Sequence, residues 1–294
     1  MEKAVYHLPG LFEFYDFYRE FLPIYREKTE YFYDWCQIGS LYGAPADCLW
    51  AGGRVSTGNA DPRQVLALTE EYGLSGRLTF SNSLLRPEHL KDPKCNRLCA
   101  LFGAEPGNGV IVHSDLLLDY LKEKYPNFYF VSSTTKVLTD FEDLTAETER
   151  PDFRYVVPDF RLNKAFDRLA GLKEKRKVEF LCNECCWPGC RERKECYENV
   201  SRKNLGERCP DHICAAPEGE KGYRFSAAMK NPAFIGIRDI RETYLPMGFS
   251  QFKIEGRGLG SAMLLEFILY YLTKPEYQLP LREEMYLDSM LDLF

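Results

Sequence analysis

The sequence lacks most of the signatures that would place a protein quickly. No apolar run is long enough to cross a membrane, and the best stretch, Ala262–Leu272, is interrupted by Glu266. The opening residues, MEKAVYHLPG, hold no apolar core of a secretory signal, so a cytoplasmic location is expected. No glycine-rich dinucleotide fingerprint follows any predicted strand, which removes the main sign of a Rossmann domain. G-x-S-x-G, H-E-x-x-H and paired aspartates are all missing, so peptidase activity is not expected. Histidine is scarce, with four residues (His7, His89, His113, His212), of which His113 alone falls at a predicted strand end. There is no internal repeat and no low-complexity linker. A net charge of −6 disfavours a broad nucleic-acid-coating surface.

What is present is enough apolar sequence for a full core. The 294 residues are 45% hydrophobic and 14% aromatic, which excludes disorder and allows one large domain or two small ones. Short apolar or β-branched runs alternate with helical patterns. The strand candidates are Tyr33–Ile38, Arg77–Ser81, Gly109–His113, Phe128–Ser132, Tyr155–Val157, Val178–Cys182, Ala233–Ile237 and Phe249–Ile254. Helices are expected between several of them, including Pro62–Tyr72, Pro87–Phe102, Asp115–Lys124, Leu162–Lys173 and Gly260–Leu272. Eight strands with crossovers point to an α/β fold, a (β/α)8 TIM-like barrel, with an open doubly wound sheet as the alternative. Residues 1–30 are read as an N-terminal helical extension, 31–275 as the barrel with an inserted cysteine-rich loop at 182–214, and 276–294 as a C-terminal tail.

The strand ends are polar, as a barrel mouth requires: Ser81–Ser83, His113–Asp115, Ser132–Lys136, Asp159, Asn183–Cys186, Arg238–Asp239 and Lys253–Arg257. Helix capping accounts equally well for any one of them. On a strand, Lys253, Glu255 and Arg257 share one face while Phe252 and Ile254 take the other. Three charges cannot enter an apolar core unpaired, so this face is expected to line the lumen and its mouth. Arg54 in the Trp50–Arg54 loop, Lys136, Lys253, Glu255 and Arg257 are the candidates for holding a small anionic or nucleobase substrate. A structural ion-pair network is the competing account of the last three.

Cysteine is the residue in excess. There are eleven, an odd number, and seven lie between Cys182 and Cys214. Without an export signal that pattern favours metal binding over a disulfide framework. Pro188 and Gly189 favour a tight turn that brings Cys186 and Cys190 together. From Cys186 through Cys190, Cys196, Cys209 and Cys214 the spacings are three, five, twelve and four residues. Such irregular spacing suits an iron–sulfur cluster better than a zinc ribbon, with zinc as the alternative. The competing account is a set of buried thiols.

The strand Phe249-Ser-Gln-Phe-Lys-Ile-Glu-Gly-Arg257, with Asn183-Glu184 and Cys186 at the end of an earlier strand, resembles the collagenase-like peptidase family, U32, over roughly residues 105–275. The resemblance implies a TIM-like barrel with a 4Fe–4S cluster. Its relatives take part in oxygen-independent hydroxylation of ubiquinone precursors, ribosomal RNA or transfer RNA. Cys186 and Cys209 look like the family's paired cysteines, with Cys190 or Cys214 as a third. The ligand set read here is Cys186, Cys190 and Cys209 with Cys95 as fourth; Cys48 competes with Cys95, and Cys196 and Cys214 are reserves. The function expected is an iron–sulfur oxidoreductase or hydroxylase served by an electron donor. The alternative is a non-catalytic, metal-stapled subunit that binds a protein partner.

Overall fold

Alternating side chains build a closed wall. The computed structural model describes residues 2–53, 58, 60–217, 222–256 and 258–291. Its strands are β1 (Ala4–Pro9), β2 (Cys36–Gly43), β3 (Ser75–Phe80), β4 (Gly109–Val112), β5 (Tyr129–Ser132), β6 (Phe153–Val156), β7 (Glu179–Leu181) and β8 (Gln251–Lys253). All pair in parallel, in the order β6-β5-β4-β3-β2-β1-β8-β7. A parallel bridge between Val156 and Val178 joins the two edges, so the sheet closes into a (β/α)8 barrel.

Helices α1 (Tyr15–Glu27), α2 (Pro62–Glu71), α3 (Pro93–Phe102), α4 (Asp115–Lys124), α5 (Phe141–Glu149) and α6 (Phe166–Ala170) follow β1 to β6 in turn. The β7–β8 connection carries α7 (Arg193–Asn204), α8 (Phe225–Ala228) and α9 (Ile237–Asp239); α10 (Ser261–Tyr271) and α11 (Gln278–Leu291) follow β8. Several starts are capped where the strands hand over to the helices. Asp61, Asp92, Ser114 and Asp140 accept from the backbone N–H of Arg63, Cys95, Leu117 and Glu142. Among the described residues no helix is long and apolar enough to cross a membrane.

The core has two parts. Leu78, Phe80, Val110, Val112, Phe130, Phe180, Phe252 and Ile254 face the helix layer in one large cluster. Tyr42, Ile111, Val131, Val157 and Leu181 plug the lumen in a second one.

The structure differs from the sequence reading at two strands, and the differences cancel in the count. Residues 1–30 are not a helical extension: they hold β1, paired on both sides, and then α1, the first βα unit. His7 disguised the strand because it faces inward among charges, where an apolar residue was expected. Ala233–Ile237 forms no strand; Ile235 N–H makes a single bond to the Cys182 carbonyl, and helix α9 begins at Ile237. A short apolar run is buried either way, so periodicity cannot tell the two apart. Pro23 lies inside the continuous α1. Residues 276–294, read as a tail, include α11, whose Leu281 and Met285 are buried and whose Glu284 takes Lys28 at 2.6 Å and Tyr31 at 2.8 Å.

Candidate functional site

Odd-numbered positions of most strands, and Ser40 and Tyr42 of β2, bring polar groups into the lumen. Glu179 is fully buried at the centre. Its carboxylate meets Arg77 Nη1 at 2.5 Å, Lys253 Nζ at 3.4 Å and His7 Nε2 at 3.5 Å. Arg77 also donates to Tyr129 Oη at 2.8 Å and lies 4.9 Å from the centre of the Tyr155 ring. Although burial opposes its charge, the neighbouring Arg77 and Lys253 hold Glu179 down to about 2. His7 is pushed to about 3 by burial and then by Arg77, so it is neutral. Its Nδ1 meets Ser40 Oγ at 2.8 Å and its Nε2 meets Gln251 Oε1 at 3.1 Å. Sequence reasoning missed His7, Arg77 and Glu179. The available signal was a charge inside each of two apolar strands, Gly76-Arg77-Leu78 and Val178-Glu179-Phe180.

Above this cluster, toward the strand ends, a cavity of about 20 Å³ is lined by Tyr42, Thr79, Ser81, Ile111, Ser133–Thr135, Tyr197, Lys253 and Glu255. Lys253 Nζ sits 3.4 Å from the centre of the Tyr42 ring. At the cavity edge Thr135 Oγ1 meets Ser133 Oγ at 3.0 Å and His113 Nδ1 at 2.9 Å. Burial, and then Lys136, lowers His113 to about 4.

Helix α7 covers the mouth. At its start Arg193, 2% exposed, donates to Glu184 Oε2 at 2.6 Å and pairs with Asp159 Oδ2 at 3.4 Å. It also lies over the Phe160 ring. Farther along, the Ser201 carbonyl accepts from Asn82 Nδ2 at 3.1 Å and Asn204 Nδ2 donates to the Ala51 carbonyl at 2.6 Å. The helix is thus tied to the β6 and β7 ends on one side and to the loops after β2 and β3 on the other. Gly52 permits the second tie. A Cβ there would stand 2.1 Å from the Ser81 carbonyl oxygen.

The same anchors fix the cysteine turn. Glu184 Oε1 accepts from the backbone N–H of Cys185 and Cys186, at 2.9 and 3.1 Å. Asn231 Nδ2 donates to the Cys186 carbonyl at 3.0 Å, and Arg161 Nη1 to the Cys190 carbonyl at 2.8 Å. Cys190 N–H closes the turn onto the Trp187 carbonyl at 2.9 Å. Cys209 lies against α7, with Asn199 Nδ2 3.7 Å from its sulfur.

The eleven cysteines fall into two groups. Cys36, Cys48, Cys95, Cys99 and Cys182 are buried, whereas Cys185, Cys186, Cys190, Cys196, Cys209 and Cys214 are partly or fully exposed, and none is bridged. Burial pushes Cys36 up to about 12 and holds Cys95, Cys99 and Cys182 as thiols far above their ordinary range. Cys95 packs against Cys48, sulfur to sulfur at 3.0 Å. The structure brings Cys186 and Cys190 onto one turn. It does not gather them with Cys95 and Cys209: among the described residues no three His, Cys, Asp or Glu side chains stand ready to share a metal ion.

Of the substrate candidates, Lys253 and Glu255 line the cavity. Lys136 turns to Glu147 at 2.6 Å and lies over the Phe153 ring. Arg54 and Arg257 lie outside the described residues.

No protein-family model matches the sequence, and no curated protein matches it. Among solved structures, the U32 peptidase Mk0906 superposes with a TM-score of 0.54 at 14% identity, covering 86% of this chain and 92% of that one. The fold is U32-like. The likeness spans nearly the whole of both chains. At this identity it speaks for the fold alone.

Proposed function

We propose that this chain is an iron–sulfur barrel enzyme, with a 4Fe–4S cluster held by the β7–β8 loop beside the lumen mouth. One observation carries the reading. Six unbridged thiols on the segment that covers the mouth are kept out of the core, while the other five are buried. Buried thiols are inert packing; exposed ones beside cations are the reactive and ligating kind. Arg161 bonds the Cys190 carbonyl, and the charge of Arg193 is felt at Cys186. The Arg193 guanidinium favours a thiolate at Cys186, and Arg161 holds the turn in place.

The donor chemistry fits a cluster, although the structure shows only two of the sulfurs on one turn. Cys186, Cys190 and Cys209 would hold it, with the fourth place open to Cys95, Cys196 or Cys214. The two on the loop need no opening of the core. When bound, the cluster supplies one-electron transfer or an open iron for substrate. The chain's own residues do the rest. Glu184 and Arg193 fix the turn, α7 shields the mouth from water, and Lys253 with Glu255 meets a small anionic or nucleobase substrate.

A metal-stapled subunit that binds a protein partner is the second reading, and the cavity favours it. At about 20 Å³ it holds a small group, not a whole nucleobase, unless α7 moves. Protein purified without oxygen decides. Iron and sulfide in equal amounts, with a brown absorbance that bleaches in air and is lost in Cys186→Ser with Cys190→Ser, supports the cluster. Zinc alone, or a centre that takes no electron, supports the staple. Iron content untouched by both substitutions overturns the assignment.

A further inference from the structure

We infer that the lumen cavity is a binding site for the carboxylate of a small monoacid, with the rest of that molecule pointing toward α7. The inference deepens the substrate reading above and rests on the mouth being the ligand site; it does not need the metal.

Two observations carry it. The first is a set of orphaned hydroxyls. Thr79 Oγ1, Ser81 Oγ and Thr134 Oγ1 are buried and make no hydrogen bond among the described residues, and all three residues line this one cavity. Ser81 is 1% exposed and Thr79 is 3% exposed. Leaving several hydroxyls unpaired at one place costs free energy that a ligand with acceptor oxygens recovers.

The second is charge. Of the nine-tenths-buried lumen groups, Arg77 and Lys253 are cationic, Glu179 is the one carboxylate between them, and His7 is neutral. Water offers the hydroxyls and the Lys253 ammonium a neutral acceptor, whereas a carboxylate offers them a charged one. An oxyanion answers both, taking hydroxyl protons on its oxygens and lying beside the Lys253 ammonium. Glu255 lines the same cavity and is half-buried. Its carboxylate sets the limit, since it opposes a dianion far more than a single charge. The volume sets the rest: about 20 Å³ takes one small polar head.

The test titrates the full chain with sodium formate by calorimetry and thermal melting, against sodium chloride and sodium phosphate at matched ionic strength. Saturable formate binding that raises Tm, with chloride inert and phosphate weaker, is the expected result. Thr79→Val keeps the shape and Ser81→Ala removes one oxygen. Each should weaken formate about tenfold, the loss of one hydrogen bond to a charged group. Circular dichroism checks that both fold. No binding to wild type leaves only water in the cavity and overturns the proposal. Equal binding by the variants, or phosphate as tight as formate, overturns it too. Cys186→Ser with Cys190→Ser separates the two readings. Formate affinity that survives there supports a lumen site whatever the metal does, and affinity lost together with iron moves the anion to the metal and ends the proposal.

Discussion

Glu179→Gln is the substitution that tests the lumen most directly. The amide keeps the shape and removes the charge, so Arg77 stays buried with its 2.5 Å partner neutralised. Tyr129 Oη and the Tyr155 ring remain, but neither carries a counter-charge. Breaking a buried pair from one side costs about 3–5 kcal/mol. The carboxylate itself gives a consistent figure. Its descent from 4.5 to about 2 corresponds to about 3 kcal/mol of preference for the charged form in the fold. Urea unfolding near neutral pH should therefore show a lower midpoint with an unchanged slope. Tm should fall by about 6–10 °C, at roughly 2 °C per kcal/mol for a chain of this size. Replacing both partners, as Arg77→Met with Glu179→Leu, should recover much of the loss, because the desolvation of two charges disappears with their attraction. Lys253 keeps the recovery incomplete, since it also leans on Glu179. A loss below about 1 kcal/mol for Glu179→Gln, or a double variant as weak as the two singles combined, would refute this account of the lumen.

Three further outcomes are expected. His7 is lowered from 6.5 to about 3, so the unfolded chain takes up its proton first; this part of the stability is full above pH 6.5 and drains as pH falls toward 3. Glu179 adds a loss from 4.5 down to about 2, so His7→Asn should flatten the pH–stability curve between 6.5 and 4.5, lessen its slope from there to about 3 and leave the limb below that, and an unchanged upper slope rejects it. Arg193→Lys loses the fork that reaches both Glu184 and Asp159 and should ease the lifting of α7 by about 1–3 kcal/mol, read as faster limited proteolysis within residues 185–214; unchanged cleavage shows that the arginine is not the anchor. Val137 holds a left-handed φ of 55° after the Thr134–Lys136 turn, so Val137→Gly should gain about 0.5–1 kcal/mol, and a loss in thermal melting contradicts the strain.

Much of the wall was legible because alternation is a local property. Six of the strand runs from Arg77 to Ile254 overlap the observed strands, and Phe252 and Ile254 do face the helices while Lys253 lines the cavity. Capping at Ser114 was written in the polar strand end His113–Asp115 itself. The excess of thiols on one loop was equally plain.

Tertiary structure alone decided the partners. His7, Arg77 and Glu179 are seventy and more residues apart, and only barrel closure makes them one charge cluster. The count of cysteines could not say which were core and which were loop; burial sorted them, setting Cys95 against Cys48 and leaving Cys186 and Cys190 at the mouth. Nor could a polar strand end say whether its hydroxyl caps a helix or faces a cavity. Ser114 caps α4, whereas Thr79 and Ser81 look into the lumen, and the difference lies in which way each strand turns once its neighbours are paired.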